Sequence, residues 1–520
     1  MRLNDLDTLP LLTPADMRRT EERAFALGVP AAVLMEHAAM AVVDVLQRLL
    51  AGECRGKRVL FLCGTGNNGG DGVAAARLFC QRGGEAEIWL SGEPQTALAL
   101  AQLHWAQAAG ICVRDIRALP EQERPVTPGG QAKARFDAYV DALLGTGLRG
   151  EPDALTTRLI NVPQHDFSSV RRPVIAVDIP SGIDGRTGAC TPGASMRADV
   201  TVTFHAPKPG LYLTCDREAV GEIVLADIGL WDIGGDELRL DAPELPCHVL
   251  LPGVVRRAGR RALSAHKGDC GRVLIYAGSM GMAGAAAMCA RAAIAAGAGL
   301  TTVACPKELI PILQSLVPAA MCMDIADAAR SRPAYDVLAL GPGLGQEAAA
   351  WENILALYDA GKPSVWDADA LNLLAQRPFR LGERAVMTPH PGEAARLLGI
   401  PAAQIAQDRF AAAQALRERF GCAALLKGDV SVLAAAGEPM FSLSANGTPA
   451  LAKGGSGDVL CGMLAALCAR MDVRDAAETA CVWHGLAAQA GEARFGRIEL
   501  TAGQLIDSLY AAREAAEKAS

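Results

Sequence analysis

NGTPALAKGGSGDVLCGMLAALCA, residues Asn446–Ala469, runs from a string of small residues straight into an Ala/Leu-rich helix. Its centre is Lys453-Gly454-Gly455-Ser456-Gly457-Asp458. A Gly-rich loop at a helix N-terminus leaves backbone amides free to hold an anion. A carboxylate inside that hole would repel a merely bound phosphate. Asp458 makes chemical sense as a general base that deprotonates a hydroxyl for attack on a phosphoryl group. Its plainer alternative is an acidic residue stabilised by the helix dipole.

Outward from this stretch the chain alternates short apolar runs with Ala-rich segments of helical length. RVLFLC (58–63), PVIAVDIP (173–180), RVLIYAG (272–278), DVLALG (336–341) and AALLKG (423–428) read as strands. Their nearly continuous apolar character fits parallel strands covered on both faces. The expected class is α/β with mostly parallel sheets. Residues 229–252 break the pattern with Gly pairs, Pro and acids, so a boundary is expected near residue 240. The expected domains are 10–235 and 250–515, each beginning afresh with strand, Gly-rich loop and helix.

Composition excludes several classes. Of 520 residues 51% are apolar and 21% charged, enough for packed cores. The net charge of −7 and the 4% aromatic content argue against a nucleic-acid surface. Fifteen cysteines without Cys-x-x-Cys spacing read as buried apolar residues in a reducing compartment. The start MRLNDLDTLPLLTPADMRR has no apolar core of a signal peptide. Arg291 interrupts the longest apolar stretch, GMAGAAAMCARAAIAAGAGL, which reads as a buried helix rather than a membrane span. A soluble, cytoplasmic protein is expected.

In the first half, RVLFLC leads into GTGNNGGDG, and a helix is expected from Val73 to about Gln81. Gly64, Gly66 and Gly69 satisfy G-x-G-x-x-G, with glycine allowing positive φ or close backbone approach. Asn67, Asn68 and Asp71 add polar groups that a simple dinucleotide fingerprint does not need. Asn68 could offer an oxygen to a hard cation, and Asp71 could cap the helix. DALLGTGLRGE (Asp141–Glu151) and PVIAVDIPSGIDGRTG place Asp141, Asp178 and Ser181 at strand ends, where open α/β sheets bind ligands. TVTFHAPKPGLY puts Lys208 after another strand, as a site residue or a surface lysine.

NNGGDG, DALLGTGLRG, AVDIPSGID and TFHAPKPG resemble the YjeF N-terminal family, the NAD(P)HX epimerases, in that family's order. The resemblance covers roughly residues 10–230. It implies a Rossmann-like domain that interconverts the R and S forms of hydrated NADH and NADPH, with a bound potassium ion. Asn68, Asp141 and Ser181 would be the potassium ligands. Asn67, Asn68, Gly69, Gly70 and Asp71, together with Gly145, Thr146, Gly147, Leu148, Arg149, Gly150, Glu151 and Asp178, would hold the hydrate. The hydrated carbon is hemiaminal-like, so its epimerisation requires acid/base chemistry at the hydroxyl. Asp178 is the candidate, with Lys208 its partner. His37 departs from the family pattern, which has Asn or Arg there, and reads as a helix-face residue.

In the second half KGDCGRVL, GPGLG, DADALN, TPHPGE and GGSGDVL resemble the YjeF C-terminal family, ADP-dependent (S)-NAD(P)HX dehydratases of ribokinase-like fold. The match covers roughly 250–515. It implies that ADP with Mg2+ phosphorylates the hydrate hydroxyl. Phosphate then leaves, giving NAD(P)H and AMP. Asp458 would be the base. Ala285, Gly343 and His390 would contact the hydrate. Lys427, Gly428, Asp429, Val430, Ser431 and Gly457 would hold the nucleotide. Asp367 and Asp369 could position metal or cap a helix. Met282 stands where the family often has a Tyr, which removes a stacking contact.

Together the halves imply one bifunctional metabolite-repair enzyme, with small-molecule partners NADHX, NADPHX and ADP. No nucleic-acid or membrane partner and a homo-oligomer are expected. The alternatives are a ribokinase-type small-molecule kinase, an NAD-dependent oxidoreductase with Glu85 or Glu87 on the ribose, or a scaffold with dead sites.

Overall fold

A computed structural model describes residues 7–119, 136–147, 150–165, 171–214, 216–230, 242–259, 261, 263–331, 334–437 and 439–518. The chain divides into two compact units. One is Leu11–Leu245; the other joins Pro246–Ser520 to the first ten residues.

The strands are numbered in chain order. β1 (Thr8–Leu11) belongs to the second sheet. The first unit holds β2 (Arg58–Cys63), β3 (Glu85–Leu90), β4 (Cys112–Asp115), β5 (Ala138–Ala142), β6 (Val174–Val177), β7 (Val200–Phe204) and β8 (Glu222–Ala226). Their spatial order is β4-β3-β2-β5-β6-β7-β8, and every pairing is parallel. Parallel strands need crossovers, and the Ala-rich segments supply them as helices. Along β2, Val59, Phe61 and Cys63 enter one apolar cluster while Leu60 and Leu62 enter another. Period-two alternation with both sides apolar is the mark of a sheet covered on both faces. From β2 the chain winds outward through β3 and β4, then restarts at β5 on the other side of β2. The crevice at this reversal is where such sheets bind ligands.

In the second unit the order is β1-β9-β18-β17-β16-β15-β14-β13-β10-β11-β12. Here β9 is Cys247–Leu250, β10 Arg272–Tyr276, β11 Leu300–Cys305 and β12 Met321–Asp324. β13 is Val337–Leu340, β14 Ser364–Trp366 and β15 Ala385–Met387. β16 is Ala423–Leu426, β17 Ser431–Ala434 and β18 Phe441–Ser444. Pairing is parallel from β12 to β16, and β17 is antiparallel to both its neighbours. The reversal in this sheet falls between β10 and β13.

The helix Ser456–Cys468 crosses Ala283–Ala295 at close range. A Cβ on Gly462 would overlap the Cys289 carbonyl, so glycine is what lets the two backbones meet. Trp366, the largest wholly buried side chain among the described residues, packs edge-on with Tyr358 and Phe379.

Candidate active sites

The first expectation to be corrected concerns GTGNNGGDG. The helix spans Asn67–Gln81, not Val73–Gln81, with Gly66 at its N-cap. Asn67, Asn68, Gly69, Gly70 and Asp71 therefore form its first turns and not a loop. None of Gly64, Gly66, Gly69, Gly70 or Gly72 has positive φ. Their role is close approach. A Cβ on Gly64 would overlap the Leu143 carbonyl, and one on Gly69 would overlap the Gly64 carbonyl. A Cβ on Gly72 would lie 2.9 Å from Cys63 Sγ. The glycines bring this helix N-terminus hard against the loop after β5, at the sheet's reversal. Asp71 is thus no cap, and its carboxylate makes no hydrogen bond among the described residues.

A cavity of about 1100 Å³ opens there. Asn67, Asn68, Asp71, Gly145, Thr146, Gly147, Glu151 and Asp178 line it. Gly69, Gly70, Gly150, Asp141, Ser181 and Lys208 are not among its lining residues; Lys208 walls a smaller recess that shares Asp178 and Thr146 with it. Leu148 and Arg149 lie outside the described residues. Arg117 bonds Asp153 at the cavity wall and the Ser91 carbonyl at 2.7 Å. His37 Nδ1 meets the Ile228 carbonyl at 2.9 Å, tying its helix to the segment after β8.

Asp178 sits one residue past β6 with φ +66°, a strained backbone for a residue with a side chain. Among the described residues, three of the four non-glycine residues with positive φ, namely Asp178, His205 and Ala368, follow strand ends beside a candidate site. Lys208 is no surface lysine: it is fully buried. Its ammonium is ion-paired with Asp178 Oδ1 and reaches Thr203 Oγ1 at 3.2 Å and the Phe204 carbonyl at 3.4 Å. Thr203 donates to the same Asp178 oxygen at 3.2 Å.

Asp141 is wholly buried on β5. Its oxygens accept from Ser181 Oγ at 2.6 Å, Ser181 N at 2.8 Å and Leu143 N at 3.2 Å. Burial pushes its carboxyl up to about 6 against the pull of these bonds. Ser181 Oγ also accepts from Leu144 N at 2.9 Å. The Asn68 side-chain amide is buried with its nitrogen unpartnered, against Gly145, where a Cβ would lie 2.9 Å from it. Carboxylate, hydroxyl and amide in one wall form an oxygen-rich donor set that fits a hard monovalent cation.

Sequence reading missed Glu21. It lies on the helix Pro14–Ala26, started by Thr13, whose hydroxyl accepts from Asp16 N at 3.1 Å. Arg18, Glu21 and Phe25 share the helix face that lines the cavity. No Gly-rich loop marks this segment; its only signal is charged residues on an otherwise apolar-periodic helix. Glu87, by contrast, takes Arg58 at 2.8 Å, Arg114 at 3.0 Å and Trp89 Nε1 at 2.8 Å near the start of β3. It does not stand at the C-terminal end, where a ribose-binding acid belongs.

In the second unit, Asp458 occupies the first turn of Ser456–Cys468 behind Gly455, whose φ of +93° only glycine accepts readily. Its carboxylate makes no hydrogen bond among the described residues. Burial pushes it up to about 6, with Asp367 and Asp369 adding and Lys427 opposing. Asp367 is 2% exposed and accepts from Lys427 Nζ at 2.7 Å and Thr388 Oγ1 at 2.8 Å. It makes no capping bond, so of the two roles open to it capping is excluded. A Cβ on Gly457 would lie 3.5 Å from Lys427 Nζ and 3.6 Å from Asp367 Oδ2. The helix start, the lysine and the aspartate thus converge.

Asp369 fastens the loop after β13, accepting from Gly345 N at 2.9 Å. Gly343, at φ +57°, packs 2.9 Å (as a notional Cβ) from Ala285 and Met282, while Ser279 Oγ donates to its carbonyl at 2.9 Å. Met282 is half exposed beside them. His390 caps Pro391–Leu398 in a reciprocal box with Glu393. Burial, then Lys427 and Arg396, lowers its imidazole's proton affinity. Burial pushes Glu393, unforeseen in the sequence, up to about 7. Val430 is wholly buried and Ser431 nearly so, and Asp429 is paired with Arg409 at 2.9 Å. Val430 therefore offers no accessible side chain to a ligand and Ser431 little.

With this geometry established, the comparisons are specific. Residues 273–510 match the family described as NAD(P)H-hydrate dehydratase, and residues 31–210 match the YjeF-related protein N-terminus. The chain is 39% identical over 506 residues to the bifunctional NAD(P)H-hydrate repair enzyme of Escherichia coli, covering 95% of this chain and 92% of that one. The chain belongs to the bifunctional NAD(P)H-hydrate repair enzyme family. Members from Moorella thermoacetica and Coxiella burnetii are each 35% identical, covering 96% and 97% of their own lengths. Among solved structures, an ADP/ATP-dependent NAD(P)H-hydrate dehydratase from Bacillus subtilis is 27% identical. It covers 53% of this chain and all of that one, with a TM-score of 0.47. The two matched regions fall one in each compact unit.

Proposed function

We propose that the first unit epimerises the R and S hydrates of NADH and NADPH, and that the second dehydrates the S form at the expense of ADP. The observation that carries the reading is Asp458: an unbonded carboxylate at a Gly-rich helix start, beside the Lys427–Asp367 pair, in a chain that spans nearly the whole length of bifunctional relatives. Asp458 takes the proton of the hydrate hydroxyl as its oxygen attacks the terminal phosphoryl group of ADP. Lys427 and the backbone amides at Gly457 offset the phosphate charge. A hydroxyl is a poor leaving group and phosphate a good one. That transfer leaves AMP; expulsion of phosphate, with loss of a proton from the neighbouring ring carbon to solvent, then restores the dihydronicotinamide ring.

Asp367 Oδ2, left free by the bonds to Oδ1, is the oxygen donor that would hold Mg2+ with the nucleotide, leaving Asp458 as the base. The ion would neutralise charge on the transferring phosphoryl group. In the first unit Asn68, Asp141 and Ser181 would hold K+, which supplies local positive charge for an anionic substrate. Asp178, positioned by Lys208 and Thr203, handles the hydroxyl proton of the hydrate. The same proposal covers a homo-oligomer and cytoplasmic residence. Free thiols at every cysteine of the described residues support the latter, and no described helix is long and apolar enough to cross a membrane.

The test is recovery of near-ultraviolet absorbance from mixed R/S hydrate with ADP, ATP or no nucleotide. Recovery beyond the S fraction with ADP supports both sites. Recovery that stops at the S fraction removes the epimerase. A stable phosphorylated product without NADH returns the second unit to the kinase reading.

A further inference from the structure

The small recess beside the main cavity of the first unit is about 70 Å³ and is walled by Met17, Arg18, Glu21, Thr146, Asp178 and Lys208. Two carboxylates from unrelated elements share it. Asp178 arrives from the end of β6 with one oxygen already taken by Lys208 and Thr203. Glu21 arrives from the first helix and makes no hydrogen bond or ion pair among the described residues. Asp71 lines the larger cavity but not this recess.

Epimerisation at a hemiaminal-like carbon moves two protons. One goes to the departing hydroxyl as the C–O bond breaks and the ring nitrogen lone pair forms the C=N bond of an iminium. Water then adds to the other face and gives up the second proton. A single carboxyl could give the first proton and take back the second, but the hydroxyl leaves one face of the ring and water enters the other, so a group on each face is required. We infer that Glu21 is a second proton-transfer residue of the epimerase, acting in the same recess as Asp178. The inference rests on the epimerase reading above. In one direction Glu21 as the acid protonates the leaving hydroxyl, and Asp178 as the carboxylate takes the proton of the entering water. The roles exchange in the reverse direction, and solvent water restores the starting protonation.

The surroundings are consistent with this assignment. Burial pushes the Glu21 carboxyl up to about 7; Lys208 and Arg18 oppose the shift, and Asp178 and Glu22 add to it. Asp71 faces the same group and is itself raised, by burial and by Asp178 and Glu21. Near neutral pH Glu21 is therefore present in both acid and base forms, as a reversible proton carrier requires.

The experiment uses the full chain and purified R hydrate, following the epimers by chromatography and 18O uptake into the ring hydroxyl from labelled water. Glu21→Gln is expected to lower epimerase kcat about 100-fold or more, with KM within about 2-fold. ADP-dependent conversion of the S form stays unchanged and reports that the protein is folded. Glu21→Asp is expected to retain part of the rate with a shifted pH profile. A Glu21→Gln protein that epimerises within about 3-fold of wild type overturns the assignment, as does a loss seen with Asp71→Asn but not with Glu21→Gln. Wild-type protein that does not interconvert the epimers overturns instead the epimerase reading beneath it.

Discussion

Lys427 Nζ lies 2.7 Å from Asp367 Oδ1, and both groups approach the helix start that carries Asp458. Burial works against charge on Lys427, but Asp367 and Glu393 outweigh it and raise the lysine's proton affinity. The pair is a structural and a chemical device at once. Removing one partner strands the other. Lys427→Met is expected to destabilise the protein by about 3–5 kcal/mol, because Asp367 is left buried and unpaired. Lys427→Met with Asp367→Leu should recover much of that loss while remaining inactive as a dehydratase. Urea unfolding of the two variants checks this. A single variant as stable as wild type would mean that the pair carries no stability.

Asp458→Asn is expected to abolish ADP-dependent recovery of NADH, with a drop of about 100-fold or more, while epimerisation persists. Asp178→Asn should do the reverse, sparing the S hydrate and blocking use of the R form. Purified epimers assayed separately decide the matter. If either substitution in a folded protein removed both activities, the two-site reading would fail.

The proton affinity of Asp458 sets a pH dependence with a definite sign. The base must be ionised, so dehydratase kcat/KM should be half-maximal near pH 6 and fall about tenfold per unit below it. Stability runs the other way. The native carboxyl, at about 6 against an ordinary 3.8, binds more protons than the unfolded one between those values. Its contribution to stability is therefore lost as pH rises through that window, on the order of 3 kcal/mol in all. Asp458→Asn removes this cost. Its Tm should exceed that of wild type at pH 8 and approach it at pH 4.

Much of the chemistry was legible before any coordinates, because Gly-rich strand-to-helix turns mark where parallel sheets bind ligands. Asp178, Asp141, Ser181 and Asp367 announce themselves by following or ending an apolar run, and Asp458 by standing between a Gly-rich loop and the apolar run that follows. The start of the helix at Asn67 was not legible, since five glycines in nine residues mimic a loop. The Leu143 carbonyl, Ala142 and the Cys63 thiol, brought in by other elements, explain why glycine is needed at Gly64 and Gly72. Glu21 was not legible either. Its significance depends on Lys208 and Asp178, more than 150 residues away in sequence, and nothing local marks a helix-face carboxylate that faces a cavity. Lys208 shows the same limit: a lysine between two prolines leaves the site and surface readings both open until the tertiary fold buries it.

The packing role of those glycines makes its own prediction. Gly69→Ala adds a Cβ into the Gly64 carbonyl, which is backbone and cannot rotate away. In a helix alone the change would be favourable by about 1 kcal/mol. Here overpacking is expected to cost about 1–3 kcal/mol net and to move Asn67 and Asn68 off the loop after β5. Epimerase activity should fall with it, while the S hydrate is still converted. Gly147→Ala, where a Cβ meets nothing within 4 Å, is the matched control and should fold as wild type. Equal stability of the two variants would show that the close approach at Gly64 is not required.

The Asp141–Ser181 contact separates a cation site from a purely structural bond. At 2.6 Å the hydroxyl satisfies one carboxylate oxygen, and backbone amides satisfy the rest, so the network can stand without an ion. The Asn68 amide nitrogen has no such internal partner among the described residues, but it is a donor; only Asn68 Oδ1 can face a cation. If it serves a cation, replacing K+ by tetramethylammonium should lower epimerase activity and leave Asn68→Ala no further to fall. Asn68→Ala should also abolish any K+-dependent rise in Tm. A rise that survives in Asn68→Ala, or epimerisation indifferent to the cation, would remove K+ from this wall and leave Asp141 as a strut for Ser181 alone.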